Sequence, residues 1–206
     1  MMAIFLEKSN QQSTRDKILM SALILFVEKG FFKTSITDLV KHSGISNGSI
    51  YHQFNDKQQV AEALMEELIS YVENQQASIL KTQSTAWDCY YNLTQWLLQA
   101  AIEQPHMMQF ILKAQHQEFL PDNPPICSSK PFLNLRDVIQ DGMHKGEIKQ
   151  MDLMVASSIA FGGPLRLIQL GLDGLLERPI NDYLEEITQT AWLALKTEQQ
   201  KASPAS

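Results

Sequence analysis

Five consecutive residues, Gly44-Ile45-Ser46-Asn47-Gly48, match the G-x-S-x-G pattern that presents a nucleophilic serine in hydrolases. That chemistry needs a strand before the serine, a sharp turn, and an acid and a histidine later in the chain. Here a helical pattern precedes Ser46 and no stretch reads as a parallel strand. Ser46 therefore reads better as a helix cap, and a serine hydrolase is the weakest reading of the chain. The five histidines, His42, His52, His106, His116 and His144, include no i, i+4 pair. Neither Cys89 nor Cys127 has a Cys or His at zinc spacing, so no metal site and no cofactor is expected. Neither thiol has a flanking Lys or Arg to stabilise a thiolate, and both read as inert.

The chemistry that the spacing does favour is recognition of DNA. Residues 31–57 read as two short helices joined by a turn around Gly44, the plan of a helix-turn-helix. Glycine suits a turn that needs positive φ. Ile36, Leu39 and Val40 face inward from the first of these helices, and Ile45 plugs the turn. At 100° per residue, Ile50 and Phe54 share the inner face of the second helix. Gly48, Ser49 and His52 then point outward, flanked by Asn47 and Tyr51. A short helix with an apolar back and small or hydrogen-bonding residues in front suits a DNA major groove.

The elements that hold this stretch read as nine helices and no convincing strand, an all-α chain. The first spans about residues 14–29 and stops at Gly30. Ser35 and Asp38 form a capping box for a second over 36–43, Ser46 caps a third over 47–53, and Asp56 caps a long fourth over 57–80. The fifth covers about 85–104, the sixth 106–120 and, after a Pro-rich loop, the seventh 131–145. The eighth, capped by Asp152, runs to 172, and the ninth covers 181–197. Residues 1–12 and 198–206 read as frayed tails. The expected division is a DNA-binding head, 1–56, and a body, 57–206.

Composition agrees. Leu, Ile, Val and Phe make up 57 of 206 residues, enough for a sizeable core. Leu outnumbers Val by 25 to 6, which favours helix. The longest apolar run, Ile18–Val27, has ten residues, too short to span a membrane. No secretory signal is evident, and two cysteines make no disulfide framework, so a cytoplasmic location is expected. The net charge of −6 argues against a general nucleic-acid coat. It is uneven, however: residues 1–60 carry 7 basic against 5 acidic groups, and the remainder 10 against 18.

Gly30-Phe31, Thr34-Ser35-Ile36, Asp38-Leu39, Gly44-Ile45-Ser46, Gly48-Ser49-Ile50-Tyr51, His52, Phe54 and Asp56-Lys57 together resemble the DNA-binding region of the TetR family of bacterial repressors. The resemblance implies a ligand-responsive repressor and no enzyme. It would be a homodimer whose two heads read a palindromic duplex operator, released or retained by a small molecule in the body that moves the fourth helix. By position it implies base or phosphate contacts from Asn47, Ser49 and Tyr51, and phosphate contacts from Thr34, His52 and Lys57, with Ser35, Ser46 and Gly48 completing the surface. Many family members carry Lys or Arg at the position of Asn47, so this head is less basic than usual. A helical protein-interaction module without DNA binding is the alternative reading.

In the body, Trp96, Phe110, Phe132 and Phe161, with the polar His116 and Arg136, are the candidates for a pocket taking an apolar or amphipathic effector. Small residues Ala156, Ala160 and Gly163, with Leu167, mark a close-approach stripe on the eighth helix. With Tyr183, Ile187 and Ala191 of the ninth they form the expected dimer interface.

Overall fold

A computed structural model describes residues 13–198, so the expected tails at 1–12 and 198–206, apart from Glu198, lie outside the described residues. The head helices each start on a side-chain cap. In α1 (Thr14–Glu28) Ser13 and Asp16 satisfy each other's backbone amides, and in α2 (Ile36–Ser43) Ser35 and Asp38 do the same. Ser46 accepts from the Ser49 amide at the start of α3 (Asn47–Gln53), and Asp56 accepts from the Gln59 amide at the start of α4 (Lys57–Leu80). Gly44 ends α2 at φ 71°, the left-handed conformation a β-carbon would strain. Ile18, Leu19, Leu39, Ile50 and Phe54 are buried between these helices.

The body continues with α5 (Ala86–Glu103), α6 (Pro105–Lys113), the single turn α7 (His116–Phe119), α8 (Lys130–His144), α9 (Leu153–Leu172) and α10 (Leu184–Leu195). Short 3-10 turns precede α8 at Ile126–Ser128 and α10 at Ile180–Tyr183. Among the described residues the chain is helical and without a strand; a lone bridge pairs Ile148 with Lys196. α5 lies in the middle of the body against α8, α9 and α10, while α1 touches both α4 and α6.

Two expectations change. The sixth expected helix is broken at Ala114 and Gln115 into α6 and α7. Nine residues of unbroken helix would set Phe110 and Phe119 about 180° apart. The break instead brings their rings to 6.3 Å and stacks Phe119 on Phe31 of the head at 4.5 Å. Secondly, α9 is long and apolar enough, at mean hydropathy 1.4, to match a membrane span by length and composition. Ser157, Ser158, Gly162 and Gly163 interrupt the run without lowering its mean much. One face of α9 packs against α5, α8 and α10, as a core helix does.

Candidate functional site

Helix α3 offers its outer face to solvent. Ile50 and Phe54 are buried, while Asn47, Gly48, Ser49, Tyr51, His52 and Gln53 are exposed. Ser46 Oγ and Ser49 Oγ share a hydrogen bond of 2.8 Å, so Ser49 is partly tied to the cap. Ser46 follows α2 rather than a strand, which removes the elbow a serine nucleophile requires. Lys33, Lys41 and His42 are exposed on the same head.

Behind this face the head is locked by bonds to its own backbone, and two expected DNA contacts belong to that lock. Thr34 is only 2% exposed, and its hydroxyl donates to the carbonyls of Gly30 (2.9 Å) and Leu25 (3.3 Å). It faces the core, not a phosphate. Lys57 Nζ donates to the carbonyls of Phe31 and Thr34 at 2.7 Å each, and stands 4.2 Å from the centre of the Phe31 ring. Half-buried there, its ammonium is desolvated and its pKa falls below the usual lysine value. Two of its three protons are committed within the chain, so it ties the start of α4 to the loop ahead of α2. Ser35 is exposed but bonded to Asp38 through both its hydroxyl and its amide. These bonds, with the Lys29 ammonium 3.1 Å away, hold the Asp38 carboxyl well below the usual carboxylate range.

The body holds a narrow apolar crevice whose free interior is about 30 Å³, so an effector must widen it. Ile69, Val72 and Gln76 of α4 form one wall, Trp96 and Leu97 of α5 a second, and Met108, Ile111 and Leu112 of α6 a third. Ser129, Phe132 and Leu135 at the start of α8, and Leu165 of α9, close it. Among the described residues no charged one lines it.

The six expected ligand residues do not meet. Trp96 and Phe132 line the crevice. Phe110 and His116 belong to an aromatic cluster under the head, with rings 5.0 Å apart, because the break after α6 turns them toward Phe31 and Phe119. Phe161 packs edge-on against Tyr90 at 5.4 Å, in a cluster that includes Trp192. Arg136 lies near the surface, reaching the Cys127 carbonyl at 3.4 Å and the Met154 sulfur. The crevice residues missed from sequence are mainly Gln76, Ser129 and the α6 residues. Gln76 had a signal: the apolar i+4 series Val60, Leu64, Leu68, Val72 on α4 lands next on a glutamine.

The small-residue stripe also turns inward. Ala156 and Ala160 are 0% exposed within the single chain, and a β-carbon at Gly163 would stand 2.9 Å from Ile187 Cδ1 of the same chain. Ala191 is buried too, while Leu167, Tyr183 and Ile187 are half-buried. The stripe allows α9 and α10 to approach within one chain. The outward face of α9 instead carries Met154, Val155, Ser158, Gly162 and Arg166, beside the exposed Leu193 of α10.

Comparison with known proteins accounts for both halves. Residues 18–64 match the family described as bacterial regulatory proteins, tetR family. The chain is 26% identical over 186 residues to the HTH-type transcriptional repressor KstR2 of Mycolicibacterium smegmatis, a match covering 79% of this chain and 87% of that one. A second similarity, to the HTH-type transcriptional regulator TtgR of Pseudomonas putida, is 33% over 61 residues, covering 30% of this chain and 29% of that one. Among solved structures, a TetR family transcription regulator from Marinobacter aquaeolei superposes with a TM-score of 0.76 at 20% identity, covering 89% and 96% of the two chains. FadR from Bacillus subtilis, solved in complex with stearoyl-CoA, gives 0.74 at 17% identity, covering 85% and 96%. Residues 18–64 thus carry a DNA-binding region of the tetR family type, and the chain as a whole is similar to a transcriptional repressor of that kind and shares the fold of such regulators.

Proposed function

We propose that the protein is a homodimeric repressor of a palindromic operator, read by residues 1–56 and released when the body, 57–206, takes up an apolar small molecule. The observation that carries this is α4. Its first residue, Lys57, holds the head loop through two carbonyls, and its Ile69, Val72 and Gln76 form a wall of the crevice. The nineteen residue steps from Lys57 to Gln76 span about 28 Å of helix, enough to carry a displacement at the crevice to the head. A ligand that widens the crevice must move a wall, and one wall is the lever.

Dimerisation is supported by the outward face of α9. Only 33% of its most apolar window is buried within the chain, and Val155 and Leu193 are 50% and 64% exposed. One α3 of seven residues reads few base pairs, and two heads about a two-fold axis extend the contact and fix the half-site spacing. Asn47, Ser49, Tyr51 and His52 are assigned to bases and phosphates, with Ser35, Ser46 and Gly48 shaping the surface. Two proteins of the same fold are described as FadR in complex with stearoyl-CoA and as the ketosteroid transcriptional regulator KstR2 of Mycobacterium tuberculosis, and the apolar crevice suits the hydrocarbon part of such molecules.

The test is selection of an operator from random duplexes, followed by titration with apolar small molecules that raise the thermal midpoint. A palindrome bound by two chains and released by a stabilising compound is expected. Stabilising compounds that leave operator affinity unchanged at saturation would refute control through the crevice, since only differential affinity shifts a two-state equilibrium.

A further inference from the structure

Ser129 occupies the N-cap position of α8, where a serine hydroxyl ordinarily accepts from a first-turn amide. Here it makes no such bond. Its oxygen is buried without any hydrogen-bond partner, and the residue lines the crevice. On the same crevice Gln76, 1% exposed, donates one amide proton to the Pro131 carbonyl at 3.2 Å and accepts from Asn134 at 3.1 Å. A primary amide has two protons and two lone pairs, so one proton and one lone pair of Gln76 remain. Buried polar groups are rarely left unmatched, and an orphan hydroxyl and a half-used amide lining one crevice mark a place for a polar atom from outside once a ligand opens it.

From this pair we infer the chemical class of the effector. It is an uncharged, mostly hydrocarbon molecule carrying a carbonyl, as in a ketone, ester or thioester, whose oxygen accepts from Ser129 Oγ and Gln76 Nε2. A free carboxylate does not fit, because no cation lines the crevice and the charge would be buried without a partner. A plain alkane fits the walls but leaves both polar groups unmatched. This rests on the effector reading above and adds the functional group to it.

Octane, methyl octanoate and octanoate separate the possibilities, with binding followed by tryptophan emission, since Trp96 lines the crevice. The ester should bind about tenfold more tightly than the alkane, the scale of one or two net hydrogen bonds, and the carboxylate should bind more weakly than the ester. In Ser129→Ala the advantage of ester over alkane should shrink several-fold. The free variant should melt at the parent temperature or above it, because the lost hydroxyl had no partner to lose. Gln76→Leu should abolish the same advantage. Equal binding of ester and alkane, an ester advantage that survives both substitutions, or preference for octanoate would each overturn the assignment while leaving an apolar effector in place. If none of the three binds, the effector reading of the crevice fails with it.

Discussion

The side-chain bonds that start α1, α2 and α3 each join residues three apart, whereas the bond that closes the crevice, from Gln76 to Pro131, spans 55 residues. Helices of eight and seven residues, as in α2 and α3, have little stability alone and depend on such local caps and on packing against α1. The result is a rigid reading face set by a short stretch of chain. The crevice is assembled from five helices and a loop, none of which forms it alone. The head is thus tuned by capping and backbone bonds, and the body by which faces of long helices meet.

That contrast is broken most severely at α9. Ala160→Arg would bury an unpaired charge between helices, at a cost of about 3–5 kcal/mol, a large share of a domain's stability. Val155→Arg, on the outer face, should leave the fold within about 0.5 kcal/mol of the parent yet yield a folded monomer by sedimentation. A dimer that survives Val155→Arg would move the interface away from this face.

In the head, Asn47→Ala should weaken operator binding by about 1–3 kcal/mol and relax preference at one base pair, with no change in melting. Lys57→Ala should do the reverse. Losing two charged bonds to Phe31 and Thr34 should destabilise the head by roughly 1–2 kcal/mol, partly offset by solvent exposure. A variant that melts normally but shows a salt slope flatter by about one unit would instead return Lys57 to the phosphate backbone.

The same contrast decides what could be read from sequence. The caps at Ser35, Ser46, Asp56 and Asp152, the left-handed Gly44 and the outward set on α3 follow from neighbours in the chain, and all are where spacing places them. Thr34 and Lys57 bond backbone carbonyls, which no side-chain pattern displays. The stripe Ala156, Ala160, Gly163 reveals a close helix approach, but not whether the second helix belongs to the same chain. The break at Ala114, which helical periodicity does not display, brings His116 and Phe119 against Phe110 under the head.

Caps offer a smaller and sharper measure of the head. Ser35→Ala should cost about 1 kcal/mol, read as a lower melting temperature. It should also change the acid limb. The folded pKa of Asp38 lies below its unfolded value, so its contribution is full above the ordinary carboxylate range and is lost as pH falls through the folded value. Without the Ser35 hydroxyl that acid-side loss should become shallower. An unchanged acid limb would mean that the Ser35 amide and Lys29 suffice.

The smallest expected effect lies at the seam between the two regions. His116 is half-buried beside Phe110 and Phe119, and its Nε2 has no partner. Burial lowers its pKa, partly countered by a bond to the Phe110 backbone. The folded state therefore disfavours the imidazolium relative to the unfolded chain, whose histidine titrates near 6.5. Stability should be level above about pH 6.5 and decline as pH falls, until the folded value is passed and the curve flattens. In His116→Gln this decline should vanish, while the parent and variant share every other titrating group, so the difference between their melting curves isolates the imidazole. A difference that grows in the opposite sense, with the parent gaining stability in acid, would mean that a carboxylate reaches the ring when it is charged. Glu118, two residues further on in α7, would then be the group to replace next.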